Sequence, residues 1–214
     1  MLKRRWKDWL ANLGLVVASL MVGFLALEFV VFRYILVPDD VLQNVTIDGV
    51  VRYKPGTNAI FRHPDGRETR LTINEHGWNS IHPHYRKDKT PGRLRVAVVG
   101  DSYVHGAFID VDKGFPALLE KKFGARGVDA EVYRFGMDGA PLSQYLHMLR
   151  REVLAYKPDV VVIPLIHNDF DESYRLIKTR YASSFMKLKA RPDGTVEEIP
   201  PTDFKSGLAG RLRH

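Results

Sequence analysis

The sequence predicts an α/β protein, a doubly wound parallel sheet preceded by an N-terminal transmembrane helix. Two observations lead to this fold class. From residue 93 onward, three apolar runs (RLRVAVVG, VDAEVYRFG and DVVVIPLI) alternate with two helix-like segments (DKGFPALLEKKFGARG and APLSQYLHMLRREVLAYKPD). Such β-α-β-α-β alternation with tight connections is typical of a doubly wound sheet. The second observation is the uncharged stretch WLANLGLVVASLMVGFLAL at residues 9–27.

That stretch is long enough to cross a bilayer as a helix. At 1.5 Å per residue it spans about 28 Å, close to the ~30 Å of a hydrocarbon core. Four basic residues precede it, Lys3, Arg4, Arg5 and Lys7, and the positive-inside rule places that end in the cytoplasm. A cleaved signal peptide is the alternative, but its apolar region is normally only about 7–15 residues long. We therefore expect a single-pass anchor in the cytoplasmic membrane, with the rest of the chain facing the periplasm or exterior.

The amino-acid composition argues against disulfides, metal sites and nucleic-acid binding. The chain has no cysteine, which excludes disulfides and thiolate metal sites. Its net charge of +7 owes much to the N-terminal basic cluster. No basic stripe interleaved with aromatic residues is present, so we expect no nucleic-acid partner. No set of histidines and carboxylates has ligand spacing, so we expect no metal site.

The pattern divides the chain into three parts. Residues 1–37 form the basic stub and anchor, residues 38–92 a β-rich linker region, and residues 93–214 the α/β domain. Within the linker region, NVTIDGVVRY and RETRLTIN predict short hairpin strands, and NEHGWNS with HPHYRKDKTPG predicts a polar, turn-rich approach to the main domain. SFMKLKARPDGTVEEIP predicts a further hairpin around its Pro-Asp-Gly turn.

Each predicted parallel strand is followed by a segment whose residues could take part in catalysis. These segments are GDSYVHG, FGMDGAPLSQ and IHNDFDES. Because the carboxyl ends of parallel strands meet at one edge, these segments are expected to converge. Acyl transfer needs an exposed hydroxyl on a sharp turn and donors aimed at the developing oxyanion. Ser102 could be the nucleophile, with Gly139 and Asn168 as donors. Taken singly, each also fits a structural role, as a turn residue or a helix cap.

These segments resemble the motifs of the GDSL, or SGNH, hydrolase family. VVGDS resembles its first block, GMDGAP its second and IHND its third, while NEHGWNS is similar to a segment of membrane-anchored members. The resemblance implies a flavodoxin-like SGNH core and no cofactor. It makes Ser102 the nucleophile, and the Ser102 N–H, Gly139 and Asn168 the oxyanion hole.

Gly100, Asp101 and Asp169 also belong to the matching motifs and support them, and we assign structural, turn-fixing roles to Asp101 and Asp169. Ile166 stands where the third block of the family usually begins with glycine.

The Asp-x-x-His block that supplies the family's catalytic base is missing, since no aspartate in the chain is followed by histidine three places later. The core is incomplete in this respect. We expect a fragment of a longer enzyme; the alternative is a natural remnant without a base. Among the histidines present, His167 is beside Asn168 and His105 is one helical turn after Ser102, but a solvated or capping role is favoured for both.

The predicted function is a membrane-anchored serine esterase or deacylase acting on acylated small molecules, lipid or polysaccharide outside the cytoplasm. Two alternatives remain open. An O-acetyltransferase of envelope polysaccharide would pass the acyl group to a sugar hydroxyl. A non-catalytic SGNH-like module would bind a glycan or a membrane partner. The sequence leaves the substrate and the oligomeric state undetermined.

Overall fold

The computed structural model describes residues 2–35, 40–171, 173–174 and 185–201. Two compact units are present, Met1–Asp39 and Asp40–His214. The first contains helix α1 (Leu2–Ala26), which continues as a π-helical segment over Leu27–Ile35. Among the described residues, one segment, Asp8–Phe32, is long and apolar enough to cross a membrane. This criterion rests on length and composition, and an N-terminal signal sequence meets it equally well.

The second unit begins with two antiparallel hairpins, as the sequence predicts. Strands β1 (Asn44–Ile47) and β2 (Val50–Tyr53) pair around Asp48 and Gly49, which both have positive φ, the geometry of a tight hairpin turn. The other hairpin consists of β3 (Asn58–Arg62) and β4 (Glu68–Thr72). The apolar residues Val50 and Val51 are completely buried, so the first hairpin packs into the core.

The central sheet has three parallel strands, and this confirms the predicted α/β class. They are β5 (Leu94–Gly100), β6 (Ala130–Gly136) and β7 (Val160–Val162), in the order β6-β5-β7. A single helical turn, α2 (Ser102–His105), follows β5, and α3 (Phe115–Ala125) connects it towards β6. Helix α4 (Leu142–Arg151) lies between β6 and β7.

Alternation along the strands explains why helices cover both faces. Val96, Val98 and Val132 pack with Leu119 and Phe123 of α3. The intervening residues of β5 and β6 face a larger cluster that includes two residues of α4: Ala97, Val99, Tyr133, Phe135, Tyr145 and Met148. Helices cover both faces of the sheet, so the sheet is doubly wound. Burial on both faces explains why its strands are continuously apolar.

Helix α4 is shorter than the sequence predicts. The amphipathic pattern extends to Pro158, but the helix ends at Arg151 and a 3₁₀ turn, Val153–Tyr156, follows. Glu152 leaves the helical conformation at φ −134° and ψ −59°. Its buried carboxylate accepts hydrogen bonds from Arg52 Nη1 at 2.7 Å and Trp78 Nε1 at 3.0 Å. These distant partners stabilise the break.

The expectation of a polar approach segment before the main domain is wrong in one respect. Trp78 and Tyr85 are 0% and 1% exposed. The Tyr85 ring stacks on Tyr133 of β6 with centroids 4.2 Å apart. Trp78 and Tyr85 are thus part of the core, where aromatic packing holds them although the segment around them is polar.

The outer edge of β6 is occupied by side chains. Val132 N donates to Glu120 Oε2 at 2.7 Å, and Arg134 N donates to the Tyr85 hydroxyl at 3.0 Å. The same hydroxyl donates to Arg134 O at 2.8 Å. Backbone groups that would otherwise be free for another strand are satisfied in this way.

The last described elements follow β7. Strand β7 is shorter than the apolar run DVVVIPLI, in which Pro164 cannot donate to a ladder. Helix α5 (His167–Asp171) comes next. Strands β8 (Lys187–Ala190) and β9 (Val196–Ile199) then form the hairpin expected around Pro-Asp-Gly.

Candidate active site

Ser102 is the first residue of α2, directly at the end of a buried strand. Asp101 precedes it and caps the helix, with Oδ1 accepting from Tyr103 N at 2.9 Å. Gly106 closes the turn in a left-handed conformation, φ 63°, and its N–H donates to Ser102 O at 2.7 Å. Ser102 is half-buried and lines a cavity. A strand followed by one sharp turn therefore presents this serine at the rim of the sheet.

Two glycines allow α2 to lie across the strand ends. A Cβ on Gly100 would come within 2.4 Å of a methyl group of Val104. A Cβ on Gly136, the in-register neighbour of Gly100 on β6, would lie 2.2 Å from His105 N. Sequence reasoning identified Gly100 as a motif residue but missed Gly136, although a glycine ending a buried strand was a signal for close backbone approach.

Arg134 holds the far end of α2, a role that no motif in the sequence indicates. Its guanidinium donates to the carbonyls of Val104 and His105. Asn79 Nδ2 also donates to His105 O, at 2.9 Å. Burial lowers the pKa of Arg134 to about 10, which leaves it charged at neutral pH. The last carbonyl groups of a short helix have no partner within the helix. Because Arg134 and Asn79 donate to these groups in α2, they stabilise the turn that begins at Ser102.

A buried polar cluster ties α2 to the loop after β6. His105 Nδ1 lies 2.7 Å from Asp138 Oδ1 and 2.8 Å from the Tyr53 hydroxyl. Asp138 N donates to the Tyr53 hydroxyl at 3.1 Å. Burial and, next, the charge of Asp138 raise the pKa of Tyr53 well above its usual value. Gly139 follows Asp138 with φ 67°, a conformation that glycine adopts without penalty.

Because a carboxylate only accepts hydrogen bonds, we assign a proton to Nδ1 of His105. Nε2 of the same ring is buried and has no hydrogen-bond partner among the described residues.

The third motif is placed by Asp169. This fully buried residue of α5 accepts a hydrogen bond from Ile166 N at 2.9 Å through Oδ2. Its backbone carbonyl accepts from Ser173 Oγ at 2.7 Å. Asn168 lies in the first turn of the same helix. The orientation of the Asn168 side chain is outside the described part of the structure.

Electrostatic interactions connect the three strand ends. Burial raises the pKa of Asp101, and the charges of Asp169 and Asp138 raise it further. Tyr145 of α4, which is completely buried, is also affected by two of these groups. Burial and then the charges of Asp101 and Asp169 raise its pKa. The structure thus brings together the segments that contain Ser102, Gly139 and Asn168.

No histidine ring hydrogen-bonds to Ser102 within the described residues. Six histidines make contacts elsewhere: His63 with Thr69, His76 with Tyr156, His82 with Glu120, His84 with Glu75, His105 with Asp138, and His147 with Gly49. His167 is exposed at the start of α5, and His214 lies outside the described residues. In the part of the chain that the structure describes, no group of three or more metal-ligating side chains is assembled.

Two cavities lie beside the serine turn. One has a volume of about 460 Å³ and is lined by Ser102, Tyr103, Gly106, Phe108 and Ile109. The other, of about 420 Å³, is bounded by the N-terminal hairpins on one side and by His105 and Asp138 on the other. Phe108 lines both cavities.

Comparison with known proteins places this arrangement in a family. The family model described as GDSL-like lipase/acylhydrolase matches residues 96–202, half of the chain. An acetylxylan esterase of Xylanibacter ruminicola is 30% identical over an alignment of 159 residues, and the match covers 61% of this chain and 31% of the relative. The chain therefore spans about a third of the length of this curated relative.

Among solved structures, the crystal structure of AlinE4, an SGNH-hydrolase family esterase, is similar with 22% identity and a TM-score of 0.32. That match covers 38% of this chain and 44% of AlinE4. The family match spans all three strand-end motifs, beginning within β5 and extending beyond α5. The chain belongs to the GDSL-like lipase/acylhydrolase family.

Proposed function

We propose that the protein is a membrane-anchored serine esterase or deacylase that acts on ester-linked acyl groups outside the cytoplasm. The observation that carries the proposal is the position of Ser102. It starts a tight helical turn at the end of β5, next to the end of β6 from which the Gly139 loop departs. A nucleophile exposed on such a turn, with backbone donors nearby, is suited to acyl transfer.

In the proposed reaction, Ser102 Oγ adds to the ester carbonyl carbon while a base removes its proton. The bond to the alcohol then breaks, and the alcohol leaves with that proton. Water repeats the sequence on the acyl-serine, releases the acid and restores the serine. The Ser102 N–H, Gly139 N–H and Asn168 side chain hold the oxyanion, and each such donor typically contributes about 2.7–4 kcal/mol.

The base is proposed to lie outside the described residues. In the family resemblance it is the histidine of an Asp-x-x-His block, which this sequence does not contain. We propose that a longer form of the protein supplies this block. His167 is exposed two residues before buried Asp169 and is retained as a second, less favoured base.

The proposed location rests on helix α1 and the basic residues before it. The segment Asp8–Phe32 has a mean hydropathy of 2.5, and Lys and Arg residues precede it. We propose that it is retained as a single-pass anchor in the inner membrane and that residues 40 onward face the periplasm. The proposed substrate is an acylated lipid, polysaccharide or small molecule; the relative named above is an acetylxylan esterase.

One observation favours a non-catalytic alternative. Because no histidine ring among the described residues hydrogen-bonds to Ser102, this chain by itself could act as a binding module whose serine is unreactive. A base supplied by a longer form of the protein would make Ser102 reactive. The esterase and the non-catalytic binding module therefore differ in the reactivity of Ser102.

Fluorophosphonate labelling tests the proposal directly. Native membranes and the recombinant 214-residue chain are labelled in parallel, with Ser102→Ala as the test variant. Thr195→Ala, which removes an exposed hydroxyl in the β8–β9 turn, is the matched control. We expect labelling that Ser102→Ala abolishes and Thr195→Ala leaves intact. A labelled native band larger than the recombinant chain supports a downstream base, whereas absence of labelling in both samples contradicts the proposal.

Hydrolysis and acyl transfer are separated by the fate of the acyl group. The same preparation is incubated with 4-nitrophenyl acetate, with and without a soluble polysaccharide. An esterase releases acetic acid at a rate that the polysaccharide does not reduce. Acetate found on the polysaccharide instead identifies the O-acetyltransferase alternative.

A further inference from the structure

The cavity of about 420 Å³ beside Ser102 has one wall that lies outside the family match. Residues of the N-terminal hairpins and of the segment before them supply this wall, whereas the match begins at residue 96. We call it the hairpin cavity. Its volume falls in the range of about 300–1,000 Å³ that small-molecule sites occupy.

The hairpin cavity adjoins the serine turn. His105 and Ala107, which belong to α2 and the residues just after it, line the cavity. Asp138, the residue before Gly139, lines it as well. Phe108 lines both this cavity and the one at Ser102, and its ring lies edge-on to Phe61 of β3, with ring centroids 4.6 Å apart. A group extending from a carbonyl at Ser102 would thus reach this cavity past a phenylalanine ring.

The lining is mostly apolar. Its main hydrophobic side chains are Val41, Leu42, Phe61, Leu71, Phe108 and Met137. Two of them are also highly exposed, Val41 at 77% and Phe108 at 63%. Apolar side chains that face an open cavity remain in contact with water until a ligand covers them.

Most of the polar lining residues already have partners. Tyr53, His105 and Asp138 hydrogen-bond to one another. Asp40 Oδ2 accepts from Ile60 N at 2.9 Å. The other polar lining residue is Asn44, whose buried Oδ1, like Nε2 of His105, has no hydrogen-bond partner among the described residues. Two such atoms are few against a mostly apolar lining, and this balance favours an apolar ligand.

We propose that the hairpin cavity binds the acyl chain of an ester whose carbonyl lies at Ser102, so that the enzyme prefers acyl groups of several carbons to acetate. The inference rests on the proposed esterase function and adds a specificity determinant to it. Each buried methylene contributes about fourfold to binding. Four additional buried carbons would therefore favour octanoyl over butanoyl esters by up to about two orders of magnitude.

The test changes the wall without touching the serine turn. Val41→Asp places a charge in the cavity at a largely exposed position, where folding should be unaffected. Leu154→Asp, at a residue that is 55% exposed and does not line the cavity, is the matched control. Ala107→Leu, which fills part of the cavity without adding charge, is the second variant. The form of the protein that fluorophosphonate labels at Ser102 is placed in lipid nanodiscs and assayed with 4-nitrophenyl acetate, butanoate and octanoate.

We expect Val41→Asp to lower the octanoate-to-acetate ratio of kcat/KM at least about tenfold, with a smaller fall for Ala107→Leu and none for Leu154→Asp. An unchanged ratio in Val41→Asp and Ala107→Leu would overturn the inference, as would a native preference for acetate over octanoate.

A binding measurement separates this inference from the proposed function. Octanoate is titrated calorimetrically into Ser102→Ala protein in nanodiscs, with empty discs subtracted. Saturable binding that Val41→Asp weakens supports the cavity assignment even if no Ser102-dependent hydrolysis is found. Absence of saturable binding refutes the assignment even if Ser102 is catalytically active.

Discussion

His105 Nδ1 lies 2.7 Å from Asp138 Oδ1, so the helical turn that begins at Ser102 is tied to the loop that contains Gly139. The bond joins the ends of two neighbouring strands through side chains instead of backbone. In the proposed reaction, the nucleophile and an oxyanion donor must keep their relative positions within a fraction of an ångström. We therefore expect the His105–Asp138 pair to hold the nucleophile and the oxyanion donor in that geometry.

Asp138→Asn should weaken this connection while keeping the size of the side chain. The carboxylate is 41% exposed, so we expect the loss of unfolding free energy to be about 1 kcal/mol, near the low end for a hydrogen bond to a charged group. We expect Ser102-dependent kcat to fall, because the loop that contains Gly139 is held less firmly against the serine turn. Chemical denaturation and steady-state kinetics check the two effects. Asp193→Asn, which alters an exposed turn bond to Thr195, is the control and should leave kcat unchanged.

Gly136→Ala should be strongly destabilising. The added Cβ would meet backbone atoms of Val104 and His105 at 2.5 and 2.2 Å, and backbone cannot rotate away as a side chain can. We expect a loss of about 1–3 kcal/mol or more of unfolding free energy. Gly124→Ala in α3 is the matched substitution, since nothing lies within 4 Å of its Cβ. It should stabilise the protein by about 0.4–1 kcal/mol. Equal effects of the two substitutions would contradict the close approach of α2 to β6.

The stability of the domain should fall as pH rises between about 4.5 and 7. Burial raises the pKa of Glu152 to about 7, although Arg52 and Trp78 lower it. The unfolded chain releases this proton at its ordinary pKa of about 4.3, so the folded state binds more protons across the window. The contribution is complete below the unfolded pKa and is lost as pH passes the folded one.

Denaturation of the protein and of Glu152→Gln at pH 5, 6 and 7 measures this contribution. The native chain should lose up to about 1.4 kcal/mol per pH unit more than the variant. Parallel pH profiles for the two proteins would show that Glu152 is already ionised throughout the range.

The architecture was predictable because its signals are local. Apolar runs such as Val96–Val99 require burial on both faces, and the turn after Gly100 is visible in the Gly-Asp-Ser sequence itself. The end of α4 was not predictable, because Glu152 interacts with Arg52, one hundred positions earlier in the chain. The same holds for the site. Ser102 could be proposed as the nucleophile from its position at the end of a predicted strand, whereas the contacts of Arg134, Tyr53 and Asp138 involve residues that no local pattern connects.

The two edges of the central sheet differ in whether they can pair with an additional strand. Glu120 and Tyr85 occupy the backbone donors of Val132 and Arg134, so β6 offers little for another strand to pair with. Among the described residues, β7 has a strand partner on one side only, and its Val160 is 45% exposed. A strand from the same polypeptide or from a second molecule would therefore add beside β7. Growth of the sheet, whether productive folding or unwanted association, is directed to one side.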